Sequence, residues 1–285
     1  MRLASAFWNL LFLYASLLLP IVSARKTTIG FKNAYNIKKF HDHQDHDQSH
    51  DHHMISPELH VFFTPNDFQI GKTMPVYFPE KNLSSSPKLL TKEEADSIPF
   101  SLSQLQYLLD YFSFPKNSPQ AQAMEYTLRQ CELGPTKGEA RFCATSLESM
   151  LDFALDFFGS NTRIKVLTTT HLKDKNTLFQ NYTISEKPRE ILTPRMIGCH
   201  TMPYPYLVFY CHGQLQSGEN KVFEISLAGE NGERVESTAV CHMDTSHWDH
   251  NHVSFRVLGI EPGSSPVCHF FPSDNLVWVP VLDAM

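Results

Sequence analysis

Hydrophobic positions change their spacing along the chain, and the changes divide it into regions. An apolar run from Leu10 through Val22 stands between Arg2 and the small-residue triplet Val22-Ser23-Ala24. That order is expected of a secretory signal peptide spanning residues 1–24, cleaved after Ala24, and the run is short for a membrane span. Residues 25–57 are polar and hold no pattern that could bury a core, so a disordered arm is expected there. From about residue 58 the pattern resumes with short extended pieces, Val61-Phe62-Phe63 and Met74 to Pro79, broken by turn residues.

Between about residues 89 and 159 apolar side chains recur at helical intervals, as in Leu102, Leu105, Leu108, Leu109 and Phe112. Thr91 with Glu94 and Ser101 with Gln104 fit the capping-box spacing, and Ser118-Pro119 places proline at the first turn of a second helix running to about Cys131. A third helix is expected from Thr145, with Glu148 as its capping partner, to Gly159. After Asn161 the period becomes two. The expected strands are Ile164–Thr170, Tyr206–His212, Val222–Ala228, Arg234–His242, Val253–Ile260 and Leu276–Val279, with Asn231-Gly232 as a hairpin turn. The expected fold is α+β, with an amino-terminal helical segment (about 89–159) packed on a mainly antiparallel sheet or partly closed barrel (about 162–280), together forming one domain over residues 58–285.

Composition narrows the function classes. The net charge is -6 and no Lys/Arg block occurs, which argues against nucleic acid as a partner. No phosphate-binding glycine loop is present, and no Ser-His-Asp or paired-carboxylate constellation stands out. A secretory leader places the six cysteines, Cys131, Cys143, Cys199, Cys211, Cys241 and Cys268, in an oxidising lumen, where they read as disulfide material. It also makes the sequons at Asn82 and Asn181 usable for glycosylation. Cys131 and Cys143 flank a loop with Gly134, Pro135 and Gly138, and no histidine accompanies them, so they are expected to pair with each other.

Chemistry concentrates at four Cys-His dipeptides: Cys199-His200, Cys211-His212, Cys241-His242 and Cys268-His269. Intervals of 10, 28 and 25 residues separate them. On a strand, adjacent side chains point to opposite faces. The four cysteines can therefore face one side and form two disulfides, in any of three pairings, while the four histidines face the other. Structural zinc sites usually take two ligands from a short C-x(2-4)-C loop, which is missing here, and an all-imidazole cluster suits copper by ligand type. Four core histidines beside two structural disulfides is the alternative. Of the nearby His247, His250 and His252, the last opens a strand pattern and could join the cluster, while the other two read as exposed loop residues. Six further histidines, at 41, 43, 46, 50, 52 and 53, alternate with aspartates in the arm. They could take up divalent metal loosely or simply form a solvated linker.

The Cys-His series with these intervals resembles the plant BURP domain. So do Met202-Pro203-Tyr204-Pro205-Tyr206, Val240-Cys241-His242-Met243-Asp244-Thr245, Pro266 to Phe271, Trp278 and the stretch from Phe142 to Met150. The likeness covers about His60 to Pro280 and is nearest the short seed and microspore-embryo type. It implies a secreted, vacuolar or cell-wall plant protein; separately, no second apolar stretch of spanning length occurs, so no membrane anchor is expected after leader cleavage. Some members are copper-dependent cyclases that oxidatively join a Tyr or Trp side chain to another residue of a peptide. The resemblance implies copper ligands at His200, His212, His242 and His269. Others are seed proteins or the non-catalytic partner of a pectin-degrading enzyme. The arm here holds Tyr35 as its only tyrosine and no tryptophan, so a cyclase would act on a peptide supplied by another chain. Two readings stand: a copper-dependent peptide-modifying enzyme, and a non-catalytic seed or cell-wall protein that interacts with a cell-wall component.

Overall fold

The computed structural model describes residues 59–79, 86–135, 137–172 and 177–282. The expected signal peptide, the histidine-rich arm, Tyr35 and Asn82 lie outside the described residues. Two antiparallel sheets dominate. The larger combines β1 (Phe62–Phe63), β2 (Thr73–Tyr77), β6 (Phe179–Ile184), β10 (Asn220–Gly229), β11 (Arg234–His242) and β12 (Val267–Phe271) in the order β1-β12-β11-β10-β6-β2. Short strands β5 (Thr170–His171) and β7 (Arg189–Ile191) pair with β11 and β10. The smaller sheet runs β3-β9-β8-β13-β4, formed by β3 (Glu139–Ala144), β9 (Val208–Gln214), β8 (Ile197–Met202), β13 (Leu276–Pro280) and β4 (Ile164–Leu167).

Among the described residues five α-helices accompany the sheets: α1 (Lys92–Asp96), α2 (Leu105–Phe112), α3 (Pro119–Glu132), α4 (Leu147–Phe158) and α5 (Val253–Leu258). The Thr91–Glu94 capping box forms, and Ser118 caps α3 by accepting from the Ala121 N–H. Helix α4 starts one residue later than its sequence suggests. Its cap is Ser146, which exchanges hydrogen bonds with Ser149, so Glu148 merely occupies the first turn. The apolar stripe of α4 buries Met150, Ala154 and Phe157 against Ile197, Cys199, Phe209, Cys211 and Trp278, covering one face of the smaller sheet. Helices α2 and α3 bury Leu108, Met124 and Leu128 against Tyr204, Tyr206 and Val208.

The α+β architecture holds, with two differences. The segment from Cys131 to Cys143 is no loop between helices, because Glu139–Ala144 pairs with β9 as an edge strand. Val253–Ile260, read as a strand, is instead helix α5 followed by Gly259 at φ 65°. His252 nucleates that helix by accepting the Ser254 N–H on its side chain. A short apolar run has no period long enough to tell strand from helix, and here the local cap decides.

A third apolar cluster joins the sheets. Val222, Val240 and Phe271 of the larger pack against Val277 and Val279 of the smaller. The larger sheet's other face buries Phe63, Val76, Phe78, Ile225, Leu227 and Phe270. Each sheet therefore has an outer face with its own core and an inner face turned to the other sheet.

Candidate metal centre

Each Cys-His pair lies on a strand, and pairing register determines what the alternation does with it. In the β8–β9 hairpin Cys199 is directly opposite Cys211, and in β11–β12 Cys241 is directly opposite Cys268. Disulfides Cys199–Cys211 and Cys241–Cys268 close these contacts across Cα separations of 4.0 and 3.9 Å, and Cys131–Cys143 joins α3 to β3. When the cysteines of two antiparallel strands are opposed, the residue after each falls on the other face, displaced diagonally by two positions. His200 thus meets His212, and His242 meets His269, on the inner faces. All four cysteines are fully buried in the outer-face cores.

The inner faces bring the four imidazoles into one cavity of about 460 Å³. Nε2 of His200 and Nε2 of His212 are 3.4 Å apart, as are those of His242 and His269. Rings of His200 and His269, from different sheets, have centroids 5.8 Å apart, and Phe271 lies against both. Gly198 makes room for that phenyl: a Cβ there would lie 3.0 Å from Phe271 Cζ. Phe62, Trp248 and His252 also line the cavity, with the Trp248 ring 5.0 Å from His242 and 4.6 Å from His252.

Enclosure sets the charge state. Burial, reinforced by repulsion among neighbouring imidazoles, holds His200 and His242 well below the ordinary histidine range. Burial and the proximity of His212 push His269 down to about 4. Each ring keeps some surface open to the cavity, while most of it is covered by the two sheets. These three side chains are therefore neutral at ordinary pH, the form that offers a lone pair to a metal. A separation of 3.4 Å is long for an N–H···N hydrogen bond. Among the described residues, however, no three or more His, Cys, Asp or Glu side chains converge as a ready-made metal cluster. The imidazoles form two close pairs, and gathering more than two about one ion requires the pairs to approach.

Other polar groups hold the first pair in place. His212 Nδ1 is 3.2 Å from Glu139 Oε1, whose carboxylate also meets Arg141 at 3.2 Å. Asn275 Nδ2 donates to His200 Nδ1 at 3.1 Å, and the Asn275 oxygen accepts the Thr201 N–H at 3.0 Å. Sequence reading missed Glu139 and Asn275. Glu139, Arg141 and Cys143 do alternate, but the adjacent glycine and proline made that stretch read as loop. His247 and His250 are exposed, whereas His252 lines the cavity. Asn181 lies on β6, where its amide Nδ2 donates to Glu230.

Residues 61–280 match the family described as BURP domain. BURP domain-containing protein BNM2C of Brassica napus is 50% identical over 228 residues, covering 78% of this chain and 80% of the relative. BURP domain protein USPL1 of Arabidopsis thaliana is 48% identical over 228 residues, covering 78% and 81%. BURP domain protein RD22 of the same plant is 37% identical over 224 residues, covering 78% and 56%. With the full Cys-His series inside the matched span and close relatives along most of their length, this chain belongs to the plant BURP-domain family.

Proposed function

We propose that the chain is a secretory-pathway protein that binds copper between its two sheets and acts there as an oxidative side-chain cyclase on a peptide supplied in trans. The observation that carries this reading is the gathering of four imidazoles, three of them held neutral by burial, into one aromatic-walled cavity. Imidazole donors without thiolate suit copper, and the cysteines are committed to disulfides. His200, His212, His242 and His269 are the residues that would hold it. Copper bound there would supply one-electron oxidation, with dioxygen as the terminal oxidant.

The protein's own part is positioning. A cavity of about 460 Å³ accommodates an aromatic side chain with part of its peptide. Phe62 and Trp248 offer faces and edges for a substrate ring to pack on, and their bulk limits access of water. The three disulfides fit the oxidising compartment in which such a peptide would be met.

Copper analysis of the purified mature protein after mild dialysis tests the binding. Near-stoichiometric retention is expected, and absence of copper in both its redox states would overturn the reading. Incubation with Tyr- or Trp-containing peptides should then yield a product lighter by two hydrogens. Copper retention with every such peptide returned unchanged would support the non-catalytic reading instead.

A further inference from the structure

The two histidines of the β8–β9 hairpin carry the same motif, yet their partners impose opposite protonation patterns. An ionised carboxylate only accepts hydrogen bonds, so Glu139 Oε1 at 3.2 Å favours a proton on Nδ1 of His212 and leaves the Nε2 lone pair facing the cavity. Asn275 does the reverse to His200. Only the oxygen of the Asn275 amide can accept the Thr201 N–H, which fixes the amide orientation and turns the NH2 toward His200 Nδ1. His200 Nδ1 must therefore be the acceptor, and in a neutral ring the proton then sits on Nε2. The two rings complement each other: the Nε2–H of His200 points at the bare Nε2 of His212, 3.4 Å away.

We infer that Glu139 and Asn275 set opposite tautomers in His212 and His200. Of this pair only His212 is then preset to ligate metal through Nε2, and Glu139 is a positioning residue for that ligand. To offer its own Nε2, His200 would have to move its proton to Nδ1. That requires the Asn275 amide to turn and abandon the Thr201 N–H. The Glu139 side chain is itself well placed to act: it is 11% exposed, shares its carboxylate with Arg141, and sits two positions along β3 from the residue opposite His212. A carboxylate behind a ligating imidazole orients the ring and raises its basicity, and removing such a partner typically costs about 10–100-fold in metal affinity.

The tautomers are a property of the metal-free protein, while the affinity statement rests on the copper reading above. Two measurements separate them. Nitrogen-15 NMR of the imidazoles in metal-free protein should show His212 protonated on Nδ1 and His200 on Nε2; the same tautomer in both rings would overturn the inference, whatever the metal result. Copper affinity, measured by chelator competition, should fall about 10–100-fold in Glu139→Gln. It should rise in Asn275→Asp, because the new carboxylate accepts a hydrogen bond from His200 Nδ1–H, favouring the tautomer whose Nε2 is free. Effects of equal sign in the two variants, with metal-free unfolding midpoints matching wild type, would show that neither residue acts through a tautomer. Failure of the wild-type protein to take up copper would sink the copper reading and the positioning role for Glu139, leaving the tautomers to the NMR.

Discussion

The β8–β9 and β11–β12 strand pairs each join two Cys-His dipeptides by one cross-strand disulfide, yet their histidines keep different company. His200 and His212 are flanked by polar partners, Asn275 and Glu139. His242 and His269 face aromatic surface: Trp248 packs against His242, and Phe62 and Phe271 against His269. One motif thus supplies two kinds of ligand environment. The first adds polar partners that orient its rings; the second adds Trp248 and Phe62, with Phe271 shared between His200 and His269. The difference arises because β9 has β3 as its neighbour, bringing Glu139 and Arg141, whereas β12 has β1, bringing Phe62.

The sharpest way to break this comparison is to remove the element the two strand pairs share. Loss of the Cys241–Cys268 bridge, which spans 27 residues, should cost about 3.5 kcal/mol of stability, and loss of Cys199–Cys211, spanning 12, about 3 kcal/mol. Denaturant unfolding of the Cys241→Ser and Cys199→Ser variants measures both. By contrast, His242→Ala should abolish copper retention while leaving the metal-free unfolding midpoint near wild type. Unfolding as severe as that of Cys241→Ser would make His242 a structural residue and reject the division between the faces.

Acid acts next, through the buried imidazoles. His200, His242 and His269 all have folded values below the unfolded value near 6.5, with His269 at about 4. The unfolded chain therefore binds protons first as pH falls. Stability of the metal-free protein should be at its plateau above pH 6.5 and decline progressively toward pH 4. His269→Gln should flatten that decline, as followed by thermal unfolding across the range; an unchanged profile would show that burial of this ring is not what acid opposes. The smallest effect is expected from His247→Ala and His250→Ala. Both side chains are exposed, and stability should stay within about 0.5 kcal/mol of wild type, with copper content unchanged.

Much of this was legible in the chain itself. Helix α3 announced itself through Ser118-Pro119, α1 through Thr91 and Glu94, and the β10–β11 hairpin through Asn231-Gly232, because caps and turns are decided by neighbouring residues. The fates of β3 and α5 were not legible. Glu139–Ala144 becomes a strand where β9 offers an edge, and Val253–Leu258 is too short an apolar run to tell helix from strand, with a histidine cap in place of the usual Ser, Thr, Asp or Asn. Nor could Glu139 or Asn275 be found: one is 73 residues from His212 and the other 75 from His200, with no local pattern linking them.

What the sequence alone determined is the separation of two chemistries, since alternation along a strand sends Cys and His to opposite faces whatever the strand pairs with. Tertiary structure decided the rest. Register chose Cys199 with Cys211 and Cys241 with Cys268 from three possible pairings. Packing of one sheet's inner face against the other brought four histidines into a single cavity, because only there could both sheets bury Val222, Val240, Phe271, Val277 and Val279 together.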